Sequence, residues 1–156
     1  MSELVSILIP AYNAEKWIRY TIESALSQTW PKKEIIIVND GSRDKTFEIA
    51  KRFESNSVKV ISQENKGAAA ARNKAFKYAQ GDYIQWLDAD DLLDSNKISE
   101  QMKVAEVCQN DLTLYSSPYG TFYWRWQKAK FVRNGLWQNL TPLEWMVNKF
   151  SKCLWM

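Results

Sequence analysis

VSILIPAYNAEKWIRYTIESALSQTWPKKEIIIVND, residues Val5–Asp40, carries two different hydrophobic periods, and their order restricts the fold that can follow. The run from Leu4 to Ile9 is almost wholly apolar, rich in β-branched residues, and stops at Pro10. That is the pattern of a strand buried on both faces. From Ala14 the period lengthens: Ala14, Trp17, Ile18, Thr21, Ile22 and Ala25 fall on one helical face, with Asn13 placed to cap the helix and Pro31 to end it. Ile35 to Val38 then reads as a second buried strand. Strand, helix and strand in so short a span call for parallel pairing through a right-handed crossover.

The alternation continues. Asp44 to Phe53 reads as a helix with Phe47, Ala50 and Phe53 inward, Val58 to Ile61 as a strand, Gly67 to Ala79 as a helix ending near Gly81, and Tyr83 to Leu87 as a strand. The expectation is an α/β fold with a mainly parallel sheet covered by helices on both faces. In such sheets ligands lie beyond the carboxyl ends of the strands. Those ends read Pro10-Ala11-Tyr12-Asn13, then Asn39-Asp40-Gly41-Ser42, then Gln63 to Gly67, then Asp88-Ala89-Asp90-Asp91. One edge of the sheet thus collects Tyr12, Asp40, Asn65, Asp88 and Asp90, and position alone marks it as a site.

Beyond Asp91 the alternation stops. Ser95 to Cys108 is expected to be an amphipathic helix with Ile98, Met102, Ala105 and Cys108 on one face. Residues 112–116 and 121–126, separated by Ser117-Pro118-Tyr119-Gly120, read as an aromatic-rich antiparallel hairpin. Thr141 and Pro142 open a last helix carrying Leu143, Met146, Val147 and Phe150. Residues 1–94 form the regular α/β half, and 95–156 a helix, a hairpin and the start of a further region of the same domain. The final Ser-Lys-Cys-Leu-Trp-Met reads as the middle of an element, so a chain cut short is expected.

Composition narrows the chemistry. With 156 residues, 46% of them hydrophobic, the chain can bury one core. Its 21 Lys and Arg against 18 Asp and Glu leave a scattered +3, which gives no support for a nucleic-acid partner. Cys108 and Cys153 stand apart and there is no His, so neither a zinc site nor a disulfide framework is indicated and a reducing compartment fits. The lack of His also removes Ser/His and Cys/His nucleophile systems and leaves carboxylates, Lys and Tyr for proton transfer. No basic leader and no stretch approaching about 20 apolar residues is present. A cytoplasmic location is expected, with peripheral attachment at the inner face of a membrane left open.

The carboxylates then need an explanation. Neighbouring acids repel one another, which raises their pKa or calls for a cation, so an Asp-x-Asp directly after a strand suits a hard divalent ion. With few fixed ligands the ion is Mn²⁺ or Mg²⁺, keeping open positions for water or phosphate oxygens. The competing reading is helix capping by Asp90, Asp91 or Asp94. Asp40 and Tyr12 on the same edge favour the ligand reading. Tyr12 is able either to pack in the core or to stack on a base; Asp40-Gly41-Ser42 also suits a plain turn; and Arg72, one turn from Gly67, is either solvated or turned back toward the edge.

Taken in order, "VSILIPAYN" (Val5–Asn13), "IIIVNDGSRDKT" (Ile35–Thr46), "NKGAAAARN" (Asn65–Asn73) and "GDYIQWLDADD" (Gly81–Asp91) resemble the nucleotide-binding half of the family 2 glycosyltransferases, which have the GT-A fold. The resemblance covers roughly residues 4–94. It implies inverting transfer of a sugar from a nucleoside diphosphate donor, a UDP-sugar by expectation, to a saccharide or lipid-linked acceptor hydroxyl with a divalent metal. By position it implies a base pocket walled by Tyr12 and Ala11 within Pro10–Asn13. It further implies base contact by Asp40, approach of Gly67 and Arg72 to base or diphosphate, ribose or metal-water contact by Asp88 with Ala89, and metal ligation by Asp90 together with Asp88. The family's general base is an acid, usually in a pair, well downstream. Here the acids after Asp94 are Glu100, Glu106, Asp111 and Glu144, none paired, so the base is expected beyond Met156. The alternatives are a donor-binding module without catalysis and a sugar nucleotidyltransferase, the latter lacking its Gly-rich loop after the first strand. The exposed aromatics of 122–137 are a further expected interface, either with the missing part of the chain or with a second copy.

Overall fold

In the computed structural model the described residues are 3–108 and, beyond them, 115, 120–121, 129–131, 140–141, 143–144 and 147. The chain divides into two compact units, Met1–Ser99 and Glu100–Met156. The first unit contains β1 (Val5–Ala11), α1 (Ile18–Leu26), β2 (Lys33–Asp40), α2 (Thr46–Lys51), β3 (Val58–Gln63), α3 (Ala68–Tyr78) and β4 (Tyr83–Trp86). α4 (Lys97–Cys108) begins at its end.

All four strands are parallel, in the order β3-β2-β1-β4. Ile7 lies opposite Ile35 of β2 and Gln85 of β4, so β1 is bonded on both edges. It is also covered on both faces: Ile7, Leu8 and Ile9 are fully buried, as are Ile36, Ile37 and Val38 of β2. Strand residues alternate between faces. Leu8, Ile36 and Val38 therefore share one face, where they pack with Ala71 and Ala75 of α3. Small alanines there let the helix approach the sheet closely. The right-handed crossover rule puts α1 and α2 on the other face. On α1, Ile18, Thr21, Ile22 and Ala25 are buried, as the helical period requires.

The sheet grows from β1 through β2 to β3, and then α3 carries the chain back across to β4 on the far side of β1. That reversal creates a crevice at the carboxyl ends of β1 and β4, where open α/β sheets bind ligands.

Two expectations change in detail. Asn13 does not cap α1; the helix starts at Ile18, and Asn13 adopts a left-handed φ of 49° in the loop before it. The antiparallel pair that is described joins β5 (Gly120–Thr121) to β6 (Lys130–Phe131). The expected strands at 112–116 and 121–126 lie outside the described residues, apart from Tyr115 and Thr121. Within the second unit Leu143, Glu144 and Val147 are helical, in keeping with a helix opened by Thr141.

Gly81 enters β4 where a Cβ would stand 2.7 Å from the Ser6 backbone nitrogen and 2.8 Å from the Leu4 carbonyl oxygen. Backbone cannot yield as a flexible side chain can. Gly81→Ala should lower the stability of the chain by about 1–3 kcal/mol, read as a shift in the urea midpoint at unchanged slope.

Candidate functional site

The loops after β1 and β2 are bound to each other. Asn13 N–H donates to Ser42 Oγ (3.1 Å) and Arg43 N–H to Asn13 Oδ1 (2.9 Å). Ala14 N–H donates to Thr46 Oγ1 (2.7 Å), Glu15 N–H to Asp44 Oδ2 (3.0 Å) and Lys45 N–H to Glu15 Oε2 (3.1 Å). The neighbouring loop thus holds the chain before α1, and Trp17 and Ile18 N–H then donate to the Ala14 carbonyl (3.0 and 2.9 Å), so the helix is entered through a turn without a side-chain cap. Asparagine tolerates the left-handed backbone better than other residues with a Cβ. Between these ties Tyr12 keeps 48% of its surface exposed, so it is not a core aromatic.

Asp40 ends β2 and is only 2% exposed. Its Oδ1 accepts from Gln63 Nε2 (2.7 Å) and Lys66 N–H (2.9 Å), and its Oδ2 from Gly67 N–H (2.8 Å). Burial by itself would raise its pKa; the bond from Gln63 and those from Lys66 and Gly67 outweigh it and hold the carboxyl below the ordinary 3.8. Next to it Gly41 (φ +67°) turns so tightly that a Cβ would meet the Asn65 nitrogen at 2.7 Å. Gly67 (φ +85°) opens α3. The loops after β2 and β3 are therefore one joined structure.

On the other side of β1, Asp88, Asp90 and Asp91 are all exposed on one turn closed by Asp91 N–H to the Asp88 carbonyl (3.1 Å). Capping of α4 falls to Asp94, whose Oδ1 accepts from Asn96 N–H (3.0 Å). Arg72 turns back toward the ligand edge and its guanidinium meets Asp88 Oδ1 at 2.5 Å, with both side chains largely in solvent. An exposed pair of this kind is worth about 0–1 kcal/mol, little enough to be exchanged for a ligand. Asp91 is pushed above the usual carboxylate range, first by local desolvation of its carboxyl, though the residue as a whole is exposed, and then by the negative charges of Asp90 and Asp88. Among the described residues no group of three His, Cys, Asp or Glu is arranged as a metal cage. An ion held here would rest on one or two carboxylates and take its other ligands from phosphate and water, as Mg²⁺ commonly does.

Sequence reasoning missed what anchors this turn. Thr21, fully buried on α1, donates its hydroxyl to the Ala89 carbonyl (2.8 Å); Leu93 N–H donates to Ser24 Oγ (3.2 Å); and Gln28 Nε2 donates to the Asp94 carbonyl (2.6 Å). A polar residue at three successive turns of an otherwise apolar face was the available signal.

Glu144, the late acid weighed as a base, accepts from Thr141 N–H (2.8 Å) while its own N–H reaches Thr141 Oγ1 (3.3 Å). This is a capping box. The bonds from the Thr141 N–H and, at 2.7 Å, the Thr141 hydroxyl hold its carboxyl below the ordinary range.

The family model described as Glycosyl transferase family 2 matches residues 6–152. The chain is 40% identical over 131 residues to the glycosyltransferase GlyG of Streptococcus pneumoniae, a match that covers 79% of this chain and 44% of that protein. It is 48% identical over 105 residues to UDP-Glc:alpha-D-GlcNAc-diphosphoundecaprenol beta-1,3-glucosyltransferase WfaP of Escherichia coli, covering 67% of this chain and 42% of the relative. The chain thus spans less than half the length of either. Among solved structures, Staphylococcus aureus TarS 1–349 in complex with UDP matches with a TM-score of 0.63 at 28% identity, over 67% of this chain and 32% of that one. TarS has also been solved with UDP-GlcNAc. The parallel sheet flanked by helices is accordingly the one seen in GT-A glycosyltransferases.

The depressed carboxyl of Asp40 has a consequence for acid stability. Its folded-state pKa lies below the unfolded one, so between the ordinary 3.8 and the lower folded value the unfolded chain binds more protons, and stability falls as pH falls through that window. Asp40→Asn should flatten this acid limb. At neutral pH it should cost roughly 1–3 kcal/mol, because an amide –NH₂ must face one of the backbone donors. Urea unfolding of both proteins across the acid range checks this.

Proposed function

The chain belongs to glycosyl transferase family 2, and from that premise we propose that it forms the donor side of an enzyme transferring a sugar, with inversion, from a UDP-sugar to an acceptor hydroxyl. Residues 1–94 supply the nucleotide site. Tyr12 stacks on the base in a wall completed by Pro10, Ala11 and Asn13. Asp40 and Gly67 shape the floor beneath it, and Asp40, three of whose acceptor positions are filled by Gln63, Lys66 and Gly67, has one left for the base. Arg72 leaves Asp88 for the diphosphate, freeing that carboxylate for ribose or metal-bound water beside Ala89. Asp90, with Asp88, holds Mn²⁺ or Mg²⁺. When bound, the ion neutralises charge developing on the diphosphate leaving group.

The observation that carries this reading is the pairing, at one crevice, of an exposed aromatic after β1 with an under-neutralised acidic turn after β4. UDP as donor is supported by the UDP complex of TarS, which is 28% identical. A lipid-linked saccharide as acceptor is supported by the diphosphoundecaprenol in the name of WfaP. Such an acceptor would bring the protein to a membrane surface; no helix among the described residues is long and apolar enough to cross one. The engagement of Glu144 in capping supports a base other than Glu144. A donor-binding module without turnover is the second reading, favoured by the engagement of the late acid Glu144 in a capping box, and release of free sugar from UDP-sugars separates the two.

Calorimetric titration with UDP, with and without Mn²⁺ and with GDP and NAD as controls, tests the site. The parent should prefer UDP and bind it more tightly with metal. Asp90→Ala should abolish the metal-dependent increment, whereas Tyr12→Ala should weaken binding in both conditions by about 1–3 kcal/mol, the worth of one base stacked on an aromatic ring. Variants that both bind like the parent would refute the assignment.

A further inference from the structure

A carboxylate pair shares a cation at least ordering cost where the turn beneath it is rigid, and this turn lies on no strand or helix. β4 ends at Trp86 and α4 begins at Lys97. The chain between them is fixed from one side by α1. Thr21 (fully buried) holds the Ala89 carbonyl at 2.8 Å, midway between Asp88 and Asp90. Ser24, one turn on, accepts from Leu93 N–H at 3.2 Å. Gln28 (3% exposed) uses both ends of its amide, donating to the Asp94 carbonyl at 2.6 Å and accepting from Ile98 N–H at 3.2 Å. Thr29 N–H then donates to the Ser95 carbonyl at 2.9 Å. The contacts follow the chain from 89 to 98 in step with the order of residues 21–29, along α1 and past its end.

We propose that Thr21 and Ser24 of α1, with Gln28 just past its end, form the device that positions Asp88 and Asp90 for the metal-bound diphosphate, an inference that rests on the donor-site reading above. None of the three touches the ligand; each acts through the backbone of the acidic loop. An apolar α1 face would bury the helix equally well, so the hydroxyls and the amide answer to the loop and not to the core. Leaving the Ala89 carbonyl without its donor lets the turn relax toward solvent, and the spacing of its carboxylates relaxes with it.

The test compares four variants of the full chain by calorimetry with UDP, with and without Mn²⁺, alongside their melting temperatures. Thr21→Val keeps shape and burial but removes the donor, and should reduce the Mn²⁺-dependent gain in UDP affinity by about 10- to 100-fold, the range typical of residues that orient metal ligands. Its metal-free UDP affinity should match the parent's. Thr21→Ser keeps the hydroxyl and should restore the metal gain. Ser24→Ala, at a half-buried position, should shift the metal gain in the same direction, and its result decides the matter if Thr21→Val does not fold. Ser6→Ala is the control for general destabilisation: it removes a fully buried hydroxyl that bonds Glu34 (2.6 Å) and Gly81 N–H (2.9 Å), and should lower the melting temperature without altering the metal gain. Folded Thr21→Val and Ser24→Ala proteins with the parent's metal gain, or with a loss no greater than that of Ser6→Ala, overturn the positioning role. A parent whose UDP binding is indifferent to Mn²⁺ overturns the donor-site reading itself.

Discussion

Asp40 brings a charge to the buried end of β2, and its carboxylate takes up three donors belonging to the connection between β3 and α3. Without it, two backbone N–H groups and the Gln63 amide would lose their partner at the point where the chain crosses the sheet. The same bonds fix where α3 begins. Arg72 lies one turn into that helix, so its reach to Asp88 on the far side of β1 is set by a carboxylate at the end of β2. Gly41 serves the same joint: only a residue without Cβ can turn there against the Asn65 backbone.

The ligand edge is assembled as two bodies on either side of β1. On one, the loops after β1, β2 and β3 are tied by hydrogen bonds from Asn13, Ser42, Asp44, Thr46 and Asp40. On the other, the acidic turn after β4 hangs from α1. The strand order places the boundary between them at the reversal of the sheet. Tyr12 and Asp88 come from adjacent strands and face one crevice, although 76 positions separate them in the chain, the difference between 88 and 12. An exposed aromatic on a tied loop and a charged turn are in this way built by different parts of one sheet.

Electrostatics explains why the acidic turn is held so firmly. Two unit charges about 4 Å apart repel by roughly 1 kcal/mol in water and 4 kcal/mol at an effective dielectric constant near 20. Three carboxylates on one turn would spread if free, and that crowding adds to the local desolvation that first raises the pKa of Asp91. One exposed arginine offsets the charge only in part. The bonds from α1 and the residues just after it supply the mechanical restraint.

The order of strands and helices, the two-sided burial of β1 and β2 and the collection of polar residues at one sheet edge were all legible in the sequence. They follow from local periodicity, which burial enforces residue by residue. The spacing of Ile18, Ile22 and Ala25 could give only one buried face. What local pattern cannot contain is the partner of a polar group distant in the chain. Asn13 had the composition of a cap, yet it bonds Arg43, because its loop is packed against the one after β2. Thr21 read as one more inward residue of α1; only the folded chain brings the Ala89 carbonyl to its hydroxyl. The strand order, and with it the crevice between β1 and β4, was likewise decided in three dimensions, since any of several orders buries the same apolar runs. The sequence by itself determined which residues are inside and which chemistry gathers at one edge; the tertiary structure decided which of them face one another, because hydrogen bonds between loops depend on distance in space and not along the chain.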